Sequence, residues 1–262
     1  MIPSADAHTH PAVSGSDSVV VATDGTRLRS RLPQRHSWWC AFTVSAILIL
    51  TSLLVPITPA EAATPQHRKV VTVSVASSSS TYGVLKKWRW STKKGKYVRV
   101  GKSIRAWVGV DGVGQASEYI SRTPAGVFTL TEAFGWQPDP GTRLPYRQVG
   151  LNDWWVSDVS SDYYNTMRTC PSWQWCGFAK SRSEQLGAIS LYSHAVVIDY
   201  NRDPIIPGAG SAFFLHVSEG KPTQGCISID KAKLVKLLTW LKPHADPVIS
   251  IGVGRAAYSP IR

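Results

Sequence analysis

Glycine and proline break this chain so often that long helices have little room in it. There are 20 Gly and 17 Pro among 262 residues. Gly112, Gly114, Gly126, Gly135 and Gly141, with Pro124, Pro138, Pro140 and Pro145, cut the middle of the sequence into short pieces. The pieces between them are β-branched or aromatic. Val70 to Val75 alternates Val with small residues before a serine run, and Ile104 to Val110 and Val127 to Leu130 have the same character, which predicts strands. Ala195 to Tyr200 and Ala212 to Val217 flank a loop holding Pro204, Pro207, Gly208 and Gly210, which predicts a hairpin. Val248 to Val253 predicts a last strand. A single segment carries a helical period: Leu234, Leu237, Leu238 and Leu241 share one face, and Asp230 is placed to cap a helix running to about Trp240. The expected architecture is one mainly β domain over residues 69–254, with a linker at 63–68 and a tail at 255–262.

The N-terminal region, residues 1–62, is different. Trp38 to Val55 is apolar, follows Arg27, Arg29, Arg31 and Arg35, and runs into Pro56, Pro59 and Ala60-Glu61-Ala62. That layout predicts a signal peptide cleaved after Ala62. A retained membrane anchor is the alternative, because about 20 apolar residues span a bilayer. Either way the positive flank stays inside and the following domain is exported, to the cell envelope or beyond it.

The chain carries a formal charge of +12. Between Gly83 and Val110 stand nine basic residues and no acidic one, interleaved with Trp88, Trp90, Tyr97 and Trp107. Basic residues among aromatics would suit nucleic acid inside a cell. Export argues against nucleic acid, so the polyanions expected as partners are anionic wall polymers, with a membrane as partner only if the N-terminal segment is retained. The plainer expectation is a solvated hairpin face whose Trp side chains turn to the core.

Three cysteines follow residue 62, and an odd count in an exported protein points to an intermolecular bridge or a free thiol. Cys170 and Cys176 flank five residues and are expected to close a small disulfide loop, which leaves Cys226 free. Its surroundings suit chemistry. Phe214-Leu215-His216-Val217-Ser218 predicts a strand ending near an imidazole, and Thr223-Gln224-Gly225-Cys226-Ile227-Ser228 predicts a turn presenting a thiol. A thiol beside an imidazole is the arrangement of nucleophilic catalysis. Gly225 permits the tight bend that would aim nearby amides at a developing oxyanion. A packed histidine beside a buried structural cysteine is the competing reading. No metal-ligand spacing and no cofactor loop is evident, so neither metal nor cofactor is expected.

Arg122-Thr123-Pro124-Ala125-Gly126-Val127-Phe128, Phe213-Phe214-Leu215-His216 and Thr223-Gln224-Gly225-Cys226-Ile227-Ser228-Ile229 together resemble, in order and spacing, the catalytic domain of bacterial L,D-transpeptidases. The likeness covers roughly residues 100–254. It implies a β-sandwich with a short helix after the catalytic cysteine. It also implies an enzyme that takes a peptidoglycan stem peptide as acyl donor, releases D-alanine, forms a thioester and passes the acyl group to the amine of a second stem peptide. Carried over, Cys226 is the nucleophile, His216 the base, Gly225 and Cys226 the oxyanion amides, and the backbone carbonyl of Val217 the partner of the imidazole. An L,D-carboxypeptidase that resolves the thioester with water and a silent wall-binding module are the alternatives.

The sequence departs from the family pattern in three places. Gln224 stands where a second histidine usually precedes Gly-Cys, Ser228 stands where Arg or Asn is usual, and the stretch from His216 to Cys226 is short. Thr223, Gln224 and Ser228 are expected to meet substrate, and His194 is the candidate to replace the missing imidazole if the hairpin sets it opposite the His216 region. Trp154 to Tyr164 is the candidate lid, against ordinary packing.

Overall fold

The computed structural model describes residues 65–171 and 173–261. The apolar run at Trp38 to Val55 and the cleavage position after Ala62 lie outside them.

The described chain opens with three long strands, β1 (Lys69–Val75), β2 (Tyr82–Ser91) and β3 (Lys96–Trp107). Short ones follow: β4 (Val113–Gly114), β5 (Thr123–Pro124), β6 (Gly126–Thr129) and β7 (Ala133–Gly135). Next come β8 (Tyr146–Gln148), β9 (Asp153–Trp155), β10 (Met167–Thr169) and β11 (Glu184–Gln185). The last part holds β12 (Ala195–Val197), β13 (Phe214–Val217), β14 (Ile227–Ile229), helix α1 (Lys231–Trp240) and β15 (Val248–Val253). Asp230 caps α1 by accepting from the Lys233 amide, as expected.

Ten strands form one mixed sheet in the order β6-β15-β1-β2-β3-β14-β13-β12-β7-β8. The sheet curls. Its β6 edge returns to the other half, where the Asp199 amide donates to the Thr129 carbonyl and the Thr129 hydroxyl to the Asp199 carboxylate. The two halves enclose one core of Val71, Val73 and Leu85 from one side and Val196, Leu215, Ile227 and Ile229 from the other. Leu234, Leu237 and Leu238 of α1, and Leu241 just after it, are fully buried against it. The fold is mainly β, with the layered core that the sequence resemblance implies. At about 1.5–3 kcal/mol per fully buried Leu or Ile, such side chains dominate its stabilisation.

Two expectations change. The strand predicted at Ile104 to Val110 starts at Lys96 and ends at Trp107, because Val110 leaves the ladder to donate its amide to the Thr223 carbonyl. The tryptophans of the β2–β3 hairpin do not enter the main core. Trp88 instead covers the second face of β1, donating to the buried Thr72 hydroxyl and meeting Tyr258 edge-on. Arg105 stacks on Tyr82 and Trp107, and Lys87 lies over Trp240, so part of the basic cluster is spread on aromatic faces.

Candidate active site

Strands β13 and β14 run parallel, with Leu215 opposite Ile227 and His216 opposite Ser228. Side chains alternate along a strand, so His216, Ser228 and the preceding Cys226 project from one face. All three line a cavity of about 660 Å³. The turn that delivers Cys226 is tied down from two sides. Thr123, buried completely, donates its hydroxyl to the Gly225 carbonyl at 2.7 Å and accepts from the Gly109 amide at 2.8 Å. Thr223 donates its own hydroxyl to the Cys226 carbonyl at 2.6 Å. Gly225 has φ +131°, and a Cβ there would lie 2.8 Å from the Phe213 ring, so only glycine fits this bend.

The Cys226 sulfur sits half-buried at the cavity floor, donating to the Ala212 carbonyl at 3.2 Å and accepting from the Phe214 amide at 3.4 Å. Burial, with the nearby Glu184 carboxylate, pushes the thiol well above its ordinary value, so the resting group is neutral. His216 is buried too, and burial lowers its pKa. Its Nδ1 is 2.8 Å from the Val217 carbonyl. An Nδ1–H donated to that oxygen leaves Nε2 as the free base.

Three acidic residues share the cavity with them, Glu118, Glu184 and, paired with Lys221, Glu219. Glu184 accepts from the Tyr192 hydroxyl at 2.6 Å, and burial raises its carboxyl to about 7. The Tyr192 hydroxyl also faces the Cys226 sulfur on the cavity wall, and its ring meets the His216 ring edge-on at 5.3 Å. Glu118 accepts from the hydroxyls of Tyr164 and Ser211. Such an arrangement can hold a thiol, a neutral imidazole and a protonatable carboxyl around one bound carbonyl.

The profile of YkuD, the L,D-transpeptidase catalytic domain, matches residues 68–249, most of the described chain. The chain belongs to the YkuD family. No match was found among curated proteins, and none among solved structures.

The YkuD domain here brings together most of the residues singled out in sequence. Cys226, His216, Thr223, Gln224 and Ser228 line the cavity, with Gln224 exposed at its lip. The Gly225 amide donates to the Thr223 hydroxyl at 3.2 Å, so in this conformation it is not open to an oxyanion. His194 is a correction. Ala195, not His194, stands opposite His216, so the pleat sends the His194 ring to the other side of the sheet, near Pro138, Asp139 and Lys231. It lines no part of the cavity. Trp154 to Tyr164 is packing at its ends: Trp154, Trp155 and Tyr164 are buried. Exposed Tyr119 and Ile120 form the cavity rim instead. Cys170 and Cys176 are joined, with an S–S distance of 2.06 Å. Glu184, Tyr192 and Glu118 went unremarked in sequence. A lone Glu between Ser183 and Gln185 and a Tyr in Leu191-Tyr192-Ser193 carry no spacing that announces chemistry.

Proposed function

We propose that the protein is an exported L,D-transpeptidase that crosslinks peptidoglycan stem peptides through a Cys226 thioester. The observation that carries this reading is the convergence of Cys226 and His216 on one face and one cavity within a YkuD domain. The YkuD family is cysteine-dependent and acts on peptidoglycan stem peptides; the crosslinking outcome is the finer proposal.

In the proposed reaction the donor carbonyl enters above the sulfur. His216 Nε2 takes the thiol proton as Cys226 attacks, and gives it to the departing D-alanine amine. An acceptor amine then attacks the thioester and restores the thiol. The neutral resting state suits this order, since proton transfer occurs only with the substrate in place. The exposed Lys and Arg of β2 and β3 would hold the domain near anionic wall polymers.

The test is incubation of the purified protein with a defined tetrapeptide donor and an amine acceptor, with products identified by mass. Crosslinked dimer with release of D-alanine is expected from the wild type, and neither thioester nor dimer from Cys226→Ala. His216→Ala should raise the pH needed for acylation towards or beyond the free-thiol value of about 8.5. Tripeptide without dimer would assign the carboxypeptidase reaction instead.

A further inference from the structure

Gln224 occupies the position where the family usually carries a second imidazole, and His194 lies on the wrong face to replace it. The cavity nevertheless holds a second group able to move a proton. We infer that the Tyr192 hydroxyl and the Glu184 carboxylate form a proton path from the Cys226 sulfur that works beside His216. This inference rests on Cys226 being the nucleophile, but not on which acceptor resolves the thioester.

Glu184, Tyr192 and Cys226 line one cavity. The Tyr192 hydroxyl faces the Cys226 sulfur on one side and donates to Glu184 Oε2 at 2.6 Å on the other. Tyr192 is buried, and its ring is held edge-on by Phe134, Phe214 and His216. The hydroxyl therefore has little freedom to leave this line. Glu184 stands on β11, paired to Trp155 of β9, and is not part of any salt bridge among the described residues. The titratable groups acting on it are Tyr192 and, across the cavity, Glu118 with its partner Tyr164; Cys226, His216, Glu219 and Lys221 line the same cavity, and the Lys221 ammonium is paired with Glu219 at 3.1 Å. The carboxyl titrates at about 7, raised chiefly by burial, which places its change of charge where the enzyme would work.

The step balances as follows. The thiol hydrogen turns from the Ala212 carbonyl to the tyrosine oxygen; the S–H bond then breaks and its proton passes to that oxygen, while the former phenol proton passes to the carboxylate. Thiolate, phenol and carboxylic acid result, with no net change of charge in the site. Reversed, the same path returns a proton when the thioester is resolved and the sulfur leaves. In the protonated state Glu184 donates to the tyrosine oxygen, and the phenol proton turns towards the thiolate it has created. In this path Tyr192 exchanges a proton with the reacting atom and is the catalytic residue of the pair; Glu184 acts through it as a positioning residue and a proton store.

A plain buried carboxylate predicts the opposite sign. The Glu184 charge repels a thiolate and raises the Cys226 pKa, so if repulsion were its only effect, Glu184→Gln would ease ionisation and quicken the thiol. The proton path predicts a slower thiol. The experiment is alkylation of the folded protein with iodoacetamide from about pH 5 to about pH 10, followed by the mass of the Cys226 peptide, which reads the nucleophile without any wall substrate. The wild-type rate should rise through about pH 7, as Glu184 loses its proton. Glu184→Gln should fall about tenfold or more at neutral pH and move the rise to about 8.5 or above. Tyr192→Phe, nearly isosteric, should do the same, and the double variant should be no slower than either single one, because the two act as a unit. Should Glu184→Gln fail to fold, Tyr192→Phe decides alone. Faster or unchanged alkylation at neutral pH, or losses that add in the double variant, would overturn the path. A protein that alkylates as expected yet makes no dimer would overturn the transpeptidase reading and leave the path standing.

Discussion

Replacing Thr123 by Val keeps the shape of a completely buried side chain and removes one hydroxyl. That hydroxyl accepts from the Gly109 amide at 2.8 Å and donates to the Gly225 carbonyl at 2.7 Å. A third contact, to the Cys226 carbonyl at 3.3 Å, is already served by Thr223 at 2.6 Å and needs no replacement. Two backbone groups are therefore orphaned. The space beside Gly109 is closed by the Ser121 carbonyl, within 2.2 Å of a notional Cβ, so water has little room to substitute. An unsatisfied buried donor or acceptor costs about 1–3 kcal/mol, and the carbonyl falls at the low end because of its second lone pair, which gives about 2–4 kcal/mol in total. For a domain of this size each kcal/mol moves the melting temperature by about 2–4 °C. Thermal unfolding should thus fall by roughly 5–15 °C, and iodoacetamide should modify Cys226 less selectively because its turn is loosened. Thr123→Ser, which keeps the hydroxyl, should lose less than half as much. A Thr123→Val protein melting within about 2 °C of wild type would refute the claim that this residue anchors the cysteine turn.

Breaking the bridge with Cys170→Ser and Cys176→Ser together should cost about 2 kcal/mol for so short a loop, seen as a lower urea midpoint, and should leave Cys226 alkylation unchanged. His216 is neutral in the fold because its pKa is lowered. Below the ordinary histidine value of about 6.5 the unfolded chain binds the extra proton, so this contribution to stability is present above that pH and is lost as pH falls. His216→Gln should accordingly lose less stability than wild type between about pH 7.5 and about pH 5.5, measured by urea unfolding; an equal loss would contradict a buried neutral imidazole. Sedimentation with isolated cell walls should show binding that weakens as salt rises, since exposed charges are screened beyond about 8 Å at physiological ionic strength; indifference to salt would remove the role given to β2 and β3.

β-branched runs bounded by turn residues were enough to read β1, β6, β15 and the β12–β13 hairpin from the sequence, because β1, β12, β13 and β15 are buried on both faces and admit few polar residues, and the helical period was enough for α1. The tryptophans of β2 and β3 misled for a related reason. An aromatic pattern shows that a face is covered, but not by what, and here the C-terminal segment around Tyr258 provides the cover. The strand end at Trp107 was invisible because Val110 is drawn away by Thr223, a partner far along the chain.

The site was legible only where chemistry and turn residues coincide. Cys226 follows a glycine and His216 ends an apolar strand, so both stand out. His194 stood out equally, and a shift of one residue put it on the wrong face: the hairpin register pairs Ala195 with His216, and nothing local in Tyr192-Ser193-His194 selects that register. The same shift explains what was missed. Tyr192 reaches the Cys226 sulfur because a short helical turn over Ser190–Ser193 breaks the alternation just before β12 and carries its ring back under His216. Glu184 arrives there through pairing with Trp155, whose neighbour Phe214 is the residue next to Cys226 across the sheet. A proton path assembled from a strand, a helical turn and the turn before β14 leaves no spacing in the sequence, which is why the absence of the usual imidazole at Gln224 looked like a loss until the register was known.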